Sequence, residues 1–253
     1  MLTTREAMEA ALVAHPDDMA AHAAYADLLI EEDDPRGDFI RLQLSLEDPS
    51  LSDDRRAAMQ EAERELLRKH EAEWLGPVAP FIVGDQFPGE PRIEIEWKRG
   101  WVDTVRVIIL TNPIIEAMVQ CSSFKMMRSF TANCRYIESF DTAFSNLEQI
   151  IGVLRRAPIT ILRLMEAIYG DAIIHALIQS RLLLRLSSLI LMGCHITDEG
   201  VENLATHANP HKLQFVNLEC NLISPIGVEA LRAVGIEPGP QYWDTRQFDV
   251  TGS

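Results

Sequence analysis

The chain of 253 residues carries 38 acidic against 23 basic side chains, a formal net charge of −15. An excess of that sign repels phosphate backbones and anionic lipid, so nucleic acid and membrane surfaces are poor partners. With 47% apolar residues and no apolar run of the roughly 18 residues that a bilayer demands, the composition is that of a soluble globular protein.

The charge is unevenly spread. Residues 1–75 hold 19 acids and 8 bases, a net of −11, whereas residues 76–253 hold 19 acids and 15 bases, a net of −4. The opening MLTTREAMEAALVAHPDD lacks the basic-then-apolar pattern of a secretory leader. The cysteines Cys121, Cys134, Cys194 and Cys220 form no C-x-x-C. Buried free thiols in a reduced, cytoplasmic setting are therefore expected.

The N-terminal third reads as helices. Thr3 and Glu6 form an S/T-x-x-E capping box ahead of Met8, Ala11 and Leu12. Pro16 and Asp17 separate this helix from a second, with Met19, Tyr25, Leu28 and Leu29 as its apolar positions. Asp33-Asp34-Pro35-Arg36-Gly37 has turn chemistry: Pro fixes φ, Asp accepts from turn amides, and Gly closes. Phe39, Ile40, Gln43 and Leu46 predict a short third helix. Ser52 opens a fourth with an acidic first turn, and Gly76-Pro77 stops it. Arg36 and Arg41, set among acids, are expected to pair with Asp27, Asp34 or Asp38.

The stretch YADLLIEEDDPRGDFIRLQ, Tyr25 to Gln43, resembles the signature of the bacterial repeat-companion domain. Tyr25, Ala26, Asp27, Leu29, the acidic pair Glu31 and Glu32, Asp34, Pro35, Arg36, Gly37, Phe39, Ile40, Arg41, Leu42 and Gln43 carry the resemblance. Leu28 stands where the family has Trp, and Asp38 where it has Glu. The resemblance is close from Tyr25 to Gln43 and loose over the wider span 3–80. It implies a helical module followed by repeats, often leucine-rich ones, and supplies no chemistry.

The repeats also stand on their own pattern. LSSLILMGCHITDEGVENL and LQFVNLECNLISPIGVEAL superpose at one constant offset, which carries Leu186 onto Leu213. Leu186, Leu189, Leu191, Cys194, Ile196, Gly200, Val201 and Leu204 map onto Leu213, Val216, Leu218, Asn221, Ile223, Gly227, Val228 and Leu231. The pattern L-x-x-L-x-L-x-x-N/C-x-I resembles leucine-rich repeats of the longer, ribonuclease-inhibitor-like class. Alternate residues of a short parallel strand point inward, the Asn or Cys bonds the backbone at the turn, and a helix returns. One offset earlier, Ile159, Leu162, Leu164, Ala167, Tyr169 and Leu177 form a weaker copy. Met127, Phe130 and Ala132, and then Val102, Val105 and Val107, fit the strand portion alone. Between Pro77 and Gly100 an irregular connection is expected, with RIEIEW as a strand or hairpin arm.

The predicted fold class is thus α/β. An acidic helical module (residues 1–80) and a connecting segment (81–100) precede a short leucine-rich-repeat solenoid (101–234) and a C-terminal cap or tail (235–253). The solenoid would carry parallel strands on its concave face and helices on its convex face. Strand positions between the inward residues face the concave side. They are Thr104, Arg106 and Ile108; Ser129, Thr131 and Asn133; Ile161, Arg163 and Met165; Ser188, Ile190 and Met192; and Phe215, Asn217 and Glu219. From this set Arg106, Ile108, Arg163, Met165, Ile190, Met192, Phe215, Asn217 and Glu219 are the candidate partner-binding residues, because apolar side chains interleaved with Arg suit a protein interface. The same face is open to an alternative in which the tail or the N-terminal helices cover it. The tail, with Tyr242, Trp243 and Phe248, reads either as a cap on the last repeat or as a peptide for a partner.

Catalytic chemistry finds little support. His207 and His211 are separated by Asn209-Pro210, which spoils a helical metal pair, and the acids Glu31 to Asp34 lack calcium-loop spacing. No G-x-S-x-G, G-K-[ST], H-E-x-x-H or G-x-G-x-x-G occurs. The reading is a non-enzymatic protein–protein interaction scaffold with no metal, cofactor or small-molecule substrate. The alternative is a regulatory or substrate-recognition subunit of an enzyme complex.

Overall fold

A computed structural model describes residues 3–82, 92–135, 140–239 and 241. Helices α1 (Thr4–Ala14), α2 (Met19–Glu31), α3 (Arg36–Leu46) and α4 (Asp53–Leu75) come first, and a 3₁₀ segment at Gly76–Phe81 follows. The sheet then begins with β1 (Ile93–Lys98) and β2 (Trp101–Val107). After it come α5 (Asn112–Gln120), a 3₁₀ turn at Ser122–Met126, β3 (Ser129–Asn133), α6 (Phe140–Arg155), β4 (Ile161–Met165), α7 (Ala172–Gln179), β5 (Ser188–Met192), α8 (Asp198–His207), β6 (Phe215–Asn217) and α9 (Pro225–Ala233).

The sheet runs β1-β2-β3-β4-β5-β6, in chain order. The β1–β2 pair is antiparallel; β2 to β6 are parallel, and each is followed by one α-helix. Successive helices α5 to α9 pack on one another. Of the inward strand positions predicted from the constant offset, Val102, Val105 and Val107, Phe130 and Ala132, Leu162 and Leu164, Leu189 and Leu191, and Leu218 are buried, and Val216 on the outer strand is half-buried. They form one core with Ile174, Leu177, Val201, Leu204 and Leu231 of the helices.

Polar ladders join one unit to the next. The Asn221 carboxamide accepts from the amides of Cys194 (2.9 Å) and Ile196 (3.1 Å) and donates to the carbonyls of Leu191 (2.7 Å) and Leu218 (2.8 Å). The Cys194 thiol, one unit earlier, donates to Leu164 O at 3.3 Å. Burial pushes that thiol up to about 12 and raises Cys134 as well, so both stay protonated and inert. Asp171 and Asp198, related by the same offset, link the helix starts. Asp171 accepts from the amide and hydroxyl of Thr197, and Asp198 from those of Ser224. Thr197 and Ser224 are the residues that open α8 and α9. A Cβ at Gly200 or Gly227 would lie 2.1 or 2.2 Å from those carboxylates, so only Gly fits beside them.

The signature segment is where the helical module meets the sheet. β1 and β2 are joined by a tight turn with Arg99 and Gly100 both at positive φ. Three residues of α3 hold that turn. Arg36 Nε donates to Gly100 O at 2.9 Å, Gly100 N donates to Gln43 Oε1 at 2.6 Å, and Ile40 packs so closely that a Cβ on Gly100 would lie 2.1 Å from it. The Arg36 guanidinium sits 4.6 Å from the Trp101 ring centre and is flanked by Trp74 and Trp97 at 5.8 Å. Phe39 packs against Trp74 and Trp97. Gly37 lets α3 lie against α2, since its Cβ would stand 2.7 Å from Ala26 O.

Arg36 therefore corrects the expected ion pair. It is 8% exposed and spends its side chain on a carbonyl, the Ser123 hydroxyl and three indoles, while Asp34 binds the Arg36 amide and, through its other oxygen, Arg5. Arg41 does pair with Asp27, on the surface. Around this plug, acids of the module meet bases of the sheet edge: Glu47 takes Arg99 in two bonds (2.7 and 2.9 Å), Asp17 takes Arg128 (3.0 Å), and Glu9 takes Lys125 (2.6 Å). Burial alone would raise the Glu9 carboxyl, but bonds from Lys125 and Tyr25 outweigh it and the net shift is downward. The Arg99 fork likewise holds Glu47 below its ordinary value.

Candidate interaction surface

Residues between the inward positions share the sheet face opposite the helices, in straight rows fixed by the register. One row runs Thr104, Ser129, Ile161, Ser188, Phe215. The next runs Arg106, Thr131, Arg163, Ile190, Asn217, and a third holds Asn133, Met165, Met192. Glu94 and Glu96 of β1 extend these rows beyond β2.

The candidate residues fall into two groups. Arg163, Met165, Ile190 and Met192 lie on adjacent strands, about 5 Å apart, and are half-buried. Phe215 borders them from the next strand and is 53% exposed. Ile161 completes this apolar patch. Arg163 sits inside it, and its hydrogen-bond partner among the described residues is Ser129 Oγ, at 3.5 Å. Arg106 and Ile108 stand apart, separated by the small polar side chains of β3, of which Ser129 and Thr131 are buried. Arg106 is exposed and faces Glu94 at 3.6 Å.

At the outer strand, Phe215, Asn217 and Glu219 border a groove of about 440 Å³ whose far wall is Gly235 to Glu237 and Gly239. Asn217 Oδ1 also accepts from the Glu219 amide at 2.8 Å, so that side chain helps turn its own backbone. The segment after α9 lies along this strand: Leu218 N donates to Pro238 O at 2.8 Å, and the Gln241 side chain bonds Leu218 O and the Asn221 amide. The described part of the tail thus covers the end of the last unit. Tyr242, Trp243 and Phe248 lie outside the described residues.

Helices α1 to α4 meet the sheet at the Arg99-Gly100 turn and at the Ser122–Met126 turn, through the bonds of Arg36, Gln43, Arg99 and Lys125. His207 Nδ1 lies 2.9 Å from the carbonyl of Asn203 in its own helix.

Residues 186–205 match the family model described as a leucine-rich repeat. The match falls on β5 and most of α8, the unit whose strand carries Ser188, Ile190 and Met192. No curated protein and no solved structure matches the chain. Among the described residues no helix is long and apolar enough to cross a membrane.

The sequence pattern locates the face and the backbone bonds of Asn221 and Cys194 at the turns, and misses the Asp ladder. Asp171 and Asp198 are legible as an acid that recurs at the repeat offset, each answered one unit later by Thr or Ser. The pattern of apolar positions alone does not reveal them.

Proposed function

We propose that the chain is a non-catalytic protein–protein interaction scaffold, a short leucine-rich-repeat solenoid plugged at its first strand by a repeat-companion module, acting in the cytoplasm. The observation that carries the reading is the patch of Ile161, Met165, Ile190, Met192 and Phe215 around Arg163 on the face without helices. Half-exposed Met and aromatic side chains with an Arg that has room to be desolvated are the composition of an interface centre. The leucine-rich repeat at residues 186–205 supports the same reading, since such units expose one strand face in an unbroken row.

The test is a photo-reactive benzophenone side chain in place of Ser188, at the middle of the face, illuminated in lysate. A covalent adduct with one distinct protein supports the reading. Adducts only with a second copy of the chain, or none, speak against it.

A further inference from the structure

A second surface carries the opposite charge from the rest of the molecule. Arg155, Arg156, Arg185 and Lys212 line one groove of about 320 Å³, at the end of α6 and beside the end of α1. Val13, Pro16 and Pro158 give it an apolar wall, and among the described residues no carboxylate lines it. In a chain with 38 acids to 23 bases, cations normally find acids: Arg5, Arg41, Arg99, Arg106, Arg128 and Arg135 all do. Among the described residues none of the four groove cations has a carboxylate partner. Arg156 donates only to Val119 O, at 3.0 Å. Arg185 covers the carbonyls of Leu154 and Ala157 at the end of α6, and its Nε is buried without a hydrogen-bond acceptor. Arg155, Arg156 and Lys212 are exposed.

Helix-end electrostatics explain Arg155 and Arg185, because cations favour the negative end of α6. They do not explain Lys212, which arrives from a loop before β6, or the absence of any acid among so many. We propose that this groove binds an acidic peptide segment of a partner protein, its carboxylates on Arg155, Arg156 and Lys212 and an apolar side chain against Val13, Pro16 and Pro158. Charge complementarity selects the occupant. Nucleic acid is the weaker fit. Its charge would run on past the groove over the acidic module, while a six-residue peptide reaches at most about 20 Å and ends near the groove. The groove shares no residue with the sheet-face patch, so either surface stands if the other fails.

Fluorescence anisotropy on the full chain tests this, with a labelled Glu-Leu-Glu-Glu-Leu-Glu peptide as the probe. Saturable binding is expected, weakened at least about tenfold by Arg155→Glu/Arg156→Glu, by Lys212→Glu, and by Gln in place of Glu in the peptide. Arg64→Glu, the same charge change as Lys212→Glu but on exposed α4, should leave it unaltered. A melting curve identifies any variant that fails to fold, and Lys212→Glu then decides alone. No saturable binding, equal weakening by Arg64→Glu, or tighter binding of a short thymidine oligonucleotide than of the peptide would overturn the proposal. A chain that sediments as a dimer and becomes a monomer in Arg155→Glu/Arg156→Glu would also overturn it, by assigning the groove to self-association.

Discussion

The α3 plug and the open sheet face use similar side chains to opposite ends. At the plug, Arg36, Phe39 and Trp101 are buried, with Trp74 and Trp97 half-buried around them, and Gly100 gives both its amide and its carbonyl to α3. On the sheet face Arg163, two methionines and Phe215 stand half-covered or exposed, with one long bond to Ser129 among them. An Arg beside aromatic and apolar groups is therefore no guide to function by itself. What distinguishes the two is whether other parts of the described chain cover those side chains. The acids of the module have the same explanation. Glu9, Asp17 and Glu47 are the complement of a basic sheet edge within the same chain.

Substitutions in the two regions should separate these roles. The largest effect belongs to the repeat core: Leu191→Asp or Leu218→Asp buries an unpaired charge and should cost more than about 4 kcal/mol, unfolding the C-terminal half in urea. A variant as stable as wild type would refute the register. At the plug, Arg36→Ala removes the donor to Gly100 O and leaves a gap over Trp101. It should cost about 3 kcal/mol and speed proteolysis between α4 and β1. Arg36→Lys should recover little, because an ammonium cannot both stack and reach the carbonyl.

Acid should loosen the module edge. Glu9 and Glu47 titrate below their ordinary value of 4.5 in the folded chain. The unfolded chain thus binds protons at higher pH. Their contribution is complete above about pH 4.5 and is lost as pH falls through the lower folded values. Glu9→Gln/Glu47→Gln should lose stability near neutrality and show a shallower decline below pH 4.5, read from melting temperature against pH. The smallest effect is expected from Arg41→Ala, an exposed pair with Asp27, within about 0.5 kcal/mol.

Much of this is legible in the sequence. The helix boundaries follow from Thr3, Pro16, the Asp33–Gly37 turn and Gly76, because capping and turn chemistry are local. The strand positions follow from the offset that carries Leu186 onto Leu213, because a stacked unit repeats its inward residues. Arg36 misleads for the same reason: local pattern offers nearby acids, whereas its partners, Gly100 and Trp101, lie on the far side of α4 and β1 in the chain. The cationic groove is equally hidden, since Arg155, Arg185 and Lys212 come from three separate units. The candidate face is legible as a set but not as two groups; only the register shows β3 separating Arg106 from Arg163.

The decisive measurement compares two folded variants in a pull-down from lysate. Phe215→Ala/Met192→Ala alters the open face, and Arg41→Ala alters the exposed side of the signature segment. The account predicts that wild type and Arg41→Ala retain the same partner and that the double variant loses it at unchanged melting temperature. Retention by the double variant with loss from Arg41→Ala would contradict it and move the binding surface to the acidic module.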